Sequence, residues 1–157
     1  MKKPLFNFGK PFDKIRSSIA AIILCLSTAV YPGQFDITQV IGKTPAKYIT
    51  STEVQMIFTG KTSRWADGTP IQIIVLPRNS PVTLTFLREH LKMTPGAYFD
   101  YVNHYNLSGK SNKIIIAEDE YDMVSKMKNS INCGCIGYLS DVLLIKLDNE
   151  IKIIEIR

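Results

Sequence analysis

The sequence predicts an α/β domain whose largely parallel sheet is flanked by helices and ends in an antiparallel C-terminal hairpin. Apolar runs alternate with segments that begin on helix-capping residues, as in α/β folds. The runs at residues 70–76 and 113–117 lack polar alternation, which is typical of strands covered on both faces. The last two apolar runs, residues 142–147 and 151–156, flank Asp148-Asn149, a turn sequence that favours a hairpin.

The N-terminus predicts a secretory signal peptide. Lysines and one arginine precede an uncharged run over residues 17–30, and Ser27 and Ala29 fit the small-residue positions of a cleavage site. We therefore expect cleavage after Ala29. An uncleaved signal anchor is the alternative, because no charge occurs between residues 17 and 34, but Pro32 and Gly33 favour cleavage.

The charge balance changes once this leader is removed. The whole chain has 157 residues with 19 Lys and Arg against 14 Asp and Glu, a net charge of +5. Residues 1–29 carry five of the basic side chains and one acidic one, so residues 30–157 keep 14 and 13. A net charge of about +1 does not favour nucleic acid as a partner. No later segment reaches spanning length, so residues 30–157 are expected to form a single periplasmic domain without a membrane span.

The first half of this domain is predicted to form a strand and a helix. Residues 35–41 alternate as a strand does, and residues 42–49 have the composition of a loop. Thr50 and Glu53 form a capping-box pattern that starts a short helix, which ends at Gly60. A polar loop follows and leads into the buried strand at residues 70–76.

Two consecutive helices are predicted after that strand. Ser80 and Thr94 are both capping residues, and each precedes a proline suited to the first helical position. The first helix extends to Leu91, and the second carries an aromatic face that ends before Gly109.

The acidic cluster Glu118-Asp119-Glu120 follows the strand at residues 113–117 and is predicted to open a helix that runs to about Lys128. Acids in the first turn of a helix suit its dipole, so this interpretation is preferred over a metal or acid-base cluster. A short strand at residues 135–139 precedes the final hairpin.

No catalytic or cofactor motif is complete. Gly60-Lys61-Thr62 resembles the end of a phosphate-binding P-loop, but Gln55 stands where that motif needs glycine. Ser80 lacks the flanking glycines and the His-Asp partners of a nucleophile. We therefore expect no enzymatic activity and no cofactor.

The cysteines leave two alternatives open. Cys25 leaves with the leader, and Cys133 and Cys135 remain as a C-x-C pair. The pair lacks two further ligands for structural zinc, so no metal site is predicted. In an oxidising compartment the pair closes a tight disulfide, and otherwise the two residues are small, partly buried groups beside a strand.

The turn at Ser80 is the candidate ligand site. A helix that begins at the carboxyl end of a buried strand presents free N–H groups and a positive dipole end to anions. The predicted site comprises the local hydroxyls and the cations nearest in sequence: Ser80, Thr83, Arg78, Lys61 and Arg64. The alternative is that Ser80 only caps its helix.

Three segments in order resemble the substrate-binding proteins of phosphate ABC transporters. They are IFTGK at residues 57–61, WADG at residues 65–68 and GCIGY at residues 134–138. The resemblance covers residues 50–138. It implies a periplasmic-binding-protein-like fold and recognition of an oxyanion such as phosphate by a Ser-Gly-Thr-Thr turn.

That phosphate-binding turn is only partly present. Ser80 and Thr83 match its serine and final threonine, whereas Pro81 and Val82 replace its glycine and first threonine. Proline removes one N–H donor and valine removes one hydroxyl.

Leu76 and Arg78 stand where the family has its phosphate-binding arginine and its acidic acceptor. The 128 residues after the leader suffice for one of the two lobes that close around ligand in that family.

Two functions therefore remain open for the sequence. The first is an exported one-lobe solute-binding domain that holds a small oxyanion at the Ser80 turn. The second is a non-enzymatic component of a cell-envelope assembly, bound to an envelope protein partner, that has lost ligand binding.

Overall fold

The computed structural model describes residues 38–110, 112–147 and 149–157, without the side chains of residues 144–146. The predicted leader and the first three residues of the predicted strand at 35–41 lie outside that range. The strands are β1 Thr38–Lys43, β2 Tyr48–Ile49, β3 Ile71–Val75, β4 Ile115–Ile116, β5 Gly134–Ser140, β6 Lys152–Ile153 and β7 Glu155–Ile156. The α-helices are α1 Ser51–Phe58, α2 Pro81–Phe86, α3 Pro95–Leu107 and α4 Glu120–Asn129.

Five of these strands form a central sheet in the order β4-β3-β5-β1-β6. β3 pairs in parallel with both β4 and β5, and β1 pairs antiparallel with both β5 and β6. Because β6 opposes β1 and β1 opposes β5, four of the five strands run in the same direction. The predicted α/β class with a mostly parallel sheet is therefore confirmed.

Helices cover both faces of β5. All seven residues of that strand are buried. On one face, a Cβ added at Gly137 would lie 2.5 Å from Met127 Cε and 2.7 Å from Met123 Sδ, so α4 packs directly on the strand. On the other face the Tyr138 ring stacks on Phe86 of α2 at 4.0 Å between centroids.

The capping box of α1 is confirmed. Thr50 is the N-cap, its hydroxyl accepts a hydrogen bond from the Glu53 N–H at 3.2 Å, and the Glu53 carboxylate accepts one from the Thr50 N–H at 2.7 Å. These bonds satisfy two backbone donors at the helix end. The same contacts lower the pKa of Glu53, chiefly through the Thr50 N–H and secondarily through the Thr50 hydroxyl.

The two predicted proline-initiated helices are both present. α2 continues into a single π-helical stretch, Leu87–Leu91, which ends at Lys92 in the left-handed region with φ of 55°. Thr94 then caps α3 by accepting a hydrogen bond from the Ala97 N–H.

The predicted C-terminal hairpin is wrong. Asp141–Lys146 is a 3₁₀ helix that follows β5 directly, and the later strands pair elsewhere. β6 joins β1, whereas β7 pairs in parallel with β2 in a separate two-stranded sheet. A short apolar run is compatible with either a strand or a helix, and both edges of β5 are already occupied by β3 and β1.

The predicted loop at residues 42–49 is also partly wrong, since Gly42 belongs to β1 and residues 48–49 form β2. A Cβ at Gly42 would lie 2.6 Å from the Cys135 carbonyl oxygen, so the close pairing of β1 with β5 requires glycine there. Within the described residues, no helix combines the length and apolar character needed to cross a membrane.

Replacing Thr50 with alanine is expected to lower the free energy of unfolding by about 1 kcal/mol, because the cap bond to Glu53 is lost. Urea denaturation at neutral pH measures this difference. Since the lowered pKa of Glu53 stabilises the fold above the usual Glu pKa and that stabilisation is lost as the pH falls, the difference should shrink in acid.

Thr52→Ala is the matched control, because Thr52 is exposed inside α1 and makes no cap bond. We expect no loss of stability in this variant, since alanine is the better helix former. Equal losses for both variants would contradict the role of the cap.

Candidate functional site

The turn at Ser80 lies beyond the carboxyl end of β3. Ser80 is the N-cap residue of α2, with extended backbone angles and no side-chain cap bond. The N–H groups of Val82 and Thr83 donate no hydrogen bond to any described residue, although both residues are at most 1% exposed. The first turn of α2 therefore has two N–H donors without an acceptor among the described residues, and the Ser80 hydroxyl makes no cap bond.

Thr83 faces the interior. Its hydroxyl lies 3.0 Å from the Tyr138 hydroxyl, and the residue is 0% exposed. The Tyr138 hydroxyl also accepts a hydrogen bond from the Leu76 N–H at 3.3 Å. Burial raises the pKa of Tyr138 well above its ordinary value, so this phenol stays neutral. The Thr83 hydroxyl therefore joins α2 to the sheet.

Arg78 brings a positive charge to the same end of the sheet. Its side chain is exposed and makes no ion pair with a described residue. One guanidinium nitrogen, Nη2, lies 3.2 Å from the position that a Cβ on Gly96 would occupy. Because Gly96 is in the first turn of α3, Arg78 lies beside a helix N-terminus. No local pattern in the sequence indicates that α3 approaches this turn.

Lys61 and Arg64 lie at the opposite end of β3. The Ile71 N–H, at the start of that strand, donates to the Ser63 carbonyl at 2.9 Å, and Arg64 forms a bridge with Pro70. Five strand residues separate this end from the Ser80 turn, a rise on the order of 15 Å. The structure therefore does not bring Lys61 and Arg64 together with Ser80.

Lys61 and Arg64 instead line a separate open cavity of about 510 Å³. Its other lining residues are Gly60, Ser63, Tyr105, Gly109, Lys110 and Asn112. Lys61 follows the C-terminus of α1 and Lys110 follows that of α3, where a cation is favoured by the helix dipole. Arg64 Nη1 donates to the Gly68 carbonyl at 2.7 Å, and Lys110 Nζ lies 4.3 Å from the Tyr105 ring centroid. The helix C-termini and the loop contacts thus explain why these three basic side chains lie at this cavity.

The WADG segment has a structural role. Trp65 is 8% exposed, and its Nε1 donates to the Gly134 carbonyl at 3.2 Å. Asp67 accepts a hydrogen bond from the Thr69 N–H at 2.9 Å and so fixes the turn. The segment holds the loop before β3 against the start of β5.

The acidic cluster opens α4. Asp119 is the N-cap and accepts from the Asp122 N–H. Glu120 accepts hydrogen bonds from the Ser140 N–H and hydroxyl, each at 2.8 Å, which ties the helix to the end of β5. Among the described residues, no group of three or more His, Cys, Asp or Glu side chains has the arrangement of a metal site.

Cys133 and Cys135 are free thiols whose sulfurs lie 3.7 Å apart. Cys135 is buried, and this burial is the main reason that its pKa rises to about 11. Cys133 is partly exposed.

No protein-family profile matches the sequence, and no curated protein matches it. Solved structures do match the fold. An ABC-type phosphate transport receptor from Vibrio cholerae aligns with 11% identity and a TM-score of 0.54, over 76% of this chain and 45% of that one. PstS from Borrelia burgdorferi aligns with 12% identity and a TM-score of 0.55, over 76% and 47% of the two chains. The chain shares its fold with phosphate ABC transporter substrate-binding proteins.

A third neighbour is a putative phosphate ABC transporter substrate-binding protein with bound phosphate from Clostridium perfringens, at 18% identity, a TM-score of 0.52 and 44% coverage of that chain. The match spans less than half of each of these three proteins, which agrees with the expected one-lobe version. At such identities the likeness concerns the fold.

Replacing Tyr138 with phenylalanine is expected to lower the free energy of unfolding by about 1–3 kcal/mol. The change leaves the buried Thr83 hydroxyl and the Leu76 N–H without their shared partner. Urea denaturation followed by circular dichroism measures the loss.

Tyr48→Phe removes the same hydroxyl from a side chain that is 58% exposed. Its effect should stay within about 0.5 kcal/mol. A Tyr138 variant as stable as this control would contradict the buried hydroxyl contact.

Proposed function

We propose that this chain is an exported, non-enzymatic solute-binding domain that holds a small oxyanion at the Ser80 turn. The observation that carries this proposal is the pair of N–H groups on Val82 and Thr83, which belong to buried residues and lack a described acceptor. A buried N–H without a partner is costly, and an anion oxygen satisfies it. The signal peptide at residues 1–29 would deliver the domain to the periplasm.

The charges at the turn suit a small anion. Arg78 supplies a guanidinium without a described ion-pair partner, and the Ser80 hydroxyl supplies a further donor. Lys61 and Arg64 are too far along β3 to contact the same ligand, so the proposed site consists of Ser80, Arg78 and the two N–H groups. The small net charge of residues 30–157 gives no support to a polyanion.

Phosphate is the first ligand to test. One structural neighbour is described with bound phosphate. In the family that the sequence resembles, Ser80 corresponds to the serine of the phosphate-binding turn. The site here is reduced, because Pro81 has no N–H and the Thr83 hydroxyl is bonded to Tyr138. We therefore expect weaker binding than a complete Ser-Gly-Thr-Thr turn would provide.

The second candidate function is that of an envelope-assembly component without a ligand. Apolar side chains are exposed where strands end at the same side of the sheet as Ser80: Ile116 at the end of β4 is 44% exposed, and Val142 after β5 is 65% exposed. A protein partner that docked on this edge of the sheet would remove both side chains from water. The Thr83 hydroxyl also favours this function, because it is bonded to Tyr138 inside the fold rather than free to bind a ligand.

Calorimetric titration of residues 30–157 with phosphate and with sulfate tests the first function. Saturable heat is expected, and Ser80→Ala should weaken binding by about tenfold because one hydrogen bond to a charged ligand is lost. Arg78→Ala should weaken it by a similar or larger factor.

Lys61→Ala is the matched control, since it removes a cation from the other end of β3 and should leave the affinity unchanged. The absence of heat at millimolar phosphate and sulfate would reject ligand binding at this turn. In that case, co-purification of a defined envelope protein that is lost on Val142→Asp would support the second function.

A further inference from the structure

The two thiols are held close together by the local backbone. Asn132 adopts the left-handed region with φ of 60°, and the chain bends there before it enters β5. Cys133 directly precedes β5 and Cys135 is the second residue of that strand, so only Gly134 separates the two thiols in the chain. Their sulfurs are 3.7 Å apart, whereas a disulfide bond is about 2.05 Å long. A relative movement of about 1.7 Å closes the gap.

The two sulfurs differ in access. Cys133 lines an open cavity of about 530 Å³, which Lys43 and Lys128 also line. Cys135 lies within β5 and is 0% exposed, whereas Cys133 precedes the strand and is partly exposed. A bulky disulfide that enters the cavity therefore meets Cys133 first.

The fluorescence of Trp65 can report on the state of the two cysteines. Trp65 is the only tryptophan of the chain, and its Nε1 is bonded to the carbonyl of Gly134, the residue between the two cysteines. A Cβ on Gly134 would lie 2.2 Å from that nitrogen, so the indole is in direct contact with the backbone that must move. A disulfide next to an indole also quenches its fluorescence by accepting an electron from the excited ring.

We propose that Cys133 and Cys135 form a thiol–disulfide exchange site, in which Cys133 is the entry thiol and Cys135 the resolving thiol. The substrate class is a disulfide, RSSR, for which oxidised glutathione is the probe. The Cys133 thiolate attacks one sulfur of RSSR, and the first RS⁻ leaves and takes up a proton. Cys135 then loses its proton and attacks Cys133 Sγ, so the second RS⁻ leaves as RSH. The protein gives up two electrons and two protons, and RSSR becomes two RSH.

This site is independent of the Ser80 turn. Gly134 and Ile71 pair at the start of β3, whereas Ser80 lies beyond its end. Formation of the disulfide would instead move Gly134 and, through its hydrogen bond, the loop that carries Trp65. An experiment can therefore reject anion binding at Ser80 without rejecting thiol–disulfide exchange at Cys133, and the reverse is also true.

The experiment uses the full chain with Cys25→Ser, so that only the C-x-C pair remains. The protein is equilibrated in oxidised and reduced glutathione at a series of ratios, and Trp65 fluorescence is recorded. We expect a reversible decrease in intensity that dithiothreitol reverses, together with the loss of both alkylatable thiols at the same ratios. An unchanged emission with both thiols still alkylatable in oxidised glutathione would overturn the proposal.

The order of the two thiols is tested with single variants. Cys135→Ser should accumulate a mixed disulfide between glutathione and Cys133, detected by mass spectrometry. Cys133→Ser should react more than about tenfold more slowly, because Cys135 is buried and its pKa is about 11. The reverse pattern would overturn the assignment of roles.

If one of these two variants fails to fold, the order of the thiols can be tested on the native chain. Brief alkylation of the native reduced chain, followed by peptide mapping, should modify Cys133 before Cys135. Equal modification of both residues in the folded chain would also contradict the assigned order.

Discussion

The hydroxyl of Tyr138 is the contact on which the rest of the candidate site depends. It lies at the centre of β5, accepts from the Leu76 N–H and meets the Thr83 hydroxyl, so it joins β5, the end of β3 and α2. The ring packs against Phe86 and Phe58 on the same face of the sheet. This one side chain thus attaches the first turn of α2 to the sheet beside the Ser80 turn.

Local hydrogen bonding explains what the sequence predicted well. The starts of α1 and α3 depend on Thr50 and Thr94, whose caps are made within three residues. The 3₁₀ helix at Asp141–Lys146 was missed because its apolar run fits either a strand or a helix, and only the occupied edges of β5 decide. Pairing between distant strands cannot be inferred from the residue pattern of one short segment.

The site was predictable only in part, for a geometric reason. The position of Ser80 before Pro81 predicts the turn, whereas closeness in sequence wrongly groups Lys61 and Arg64 with it, because β3 separates them from the turn. The burial of Thr83 depends on Tyr138, which lies 55 residues away in the chain. Conversely, the approach of Arg78 to α3 follows from tertiary packing alone.

An NMR titration of the amide signals with phosphate detects an anion at the Ser80 turn directly, because Val82 and Thr83 each contribute one resolvable N–H signal. If phosphate binds there, the Val82 and Thr83 amide protons should show saturable downfield shifts, with smaller changes at Ser80 and none at Ser63 or Arg64. Shifts confined to the cavity around Lys61 and Arg64, or no saturable shift at Val82 and Thr83, would contradict anion binding at the Ser80 turn.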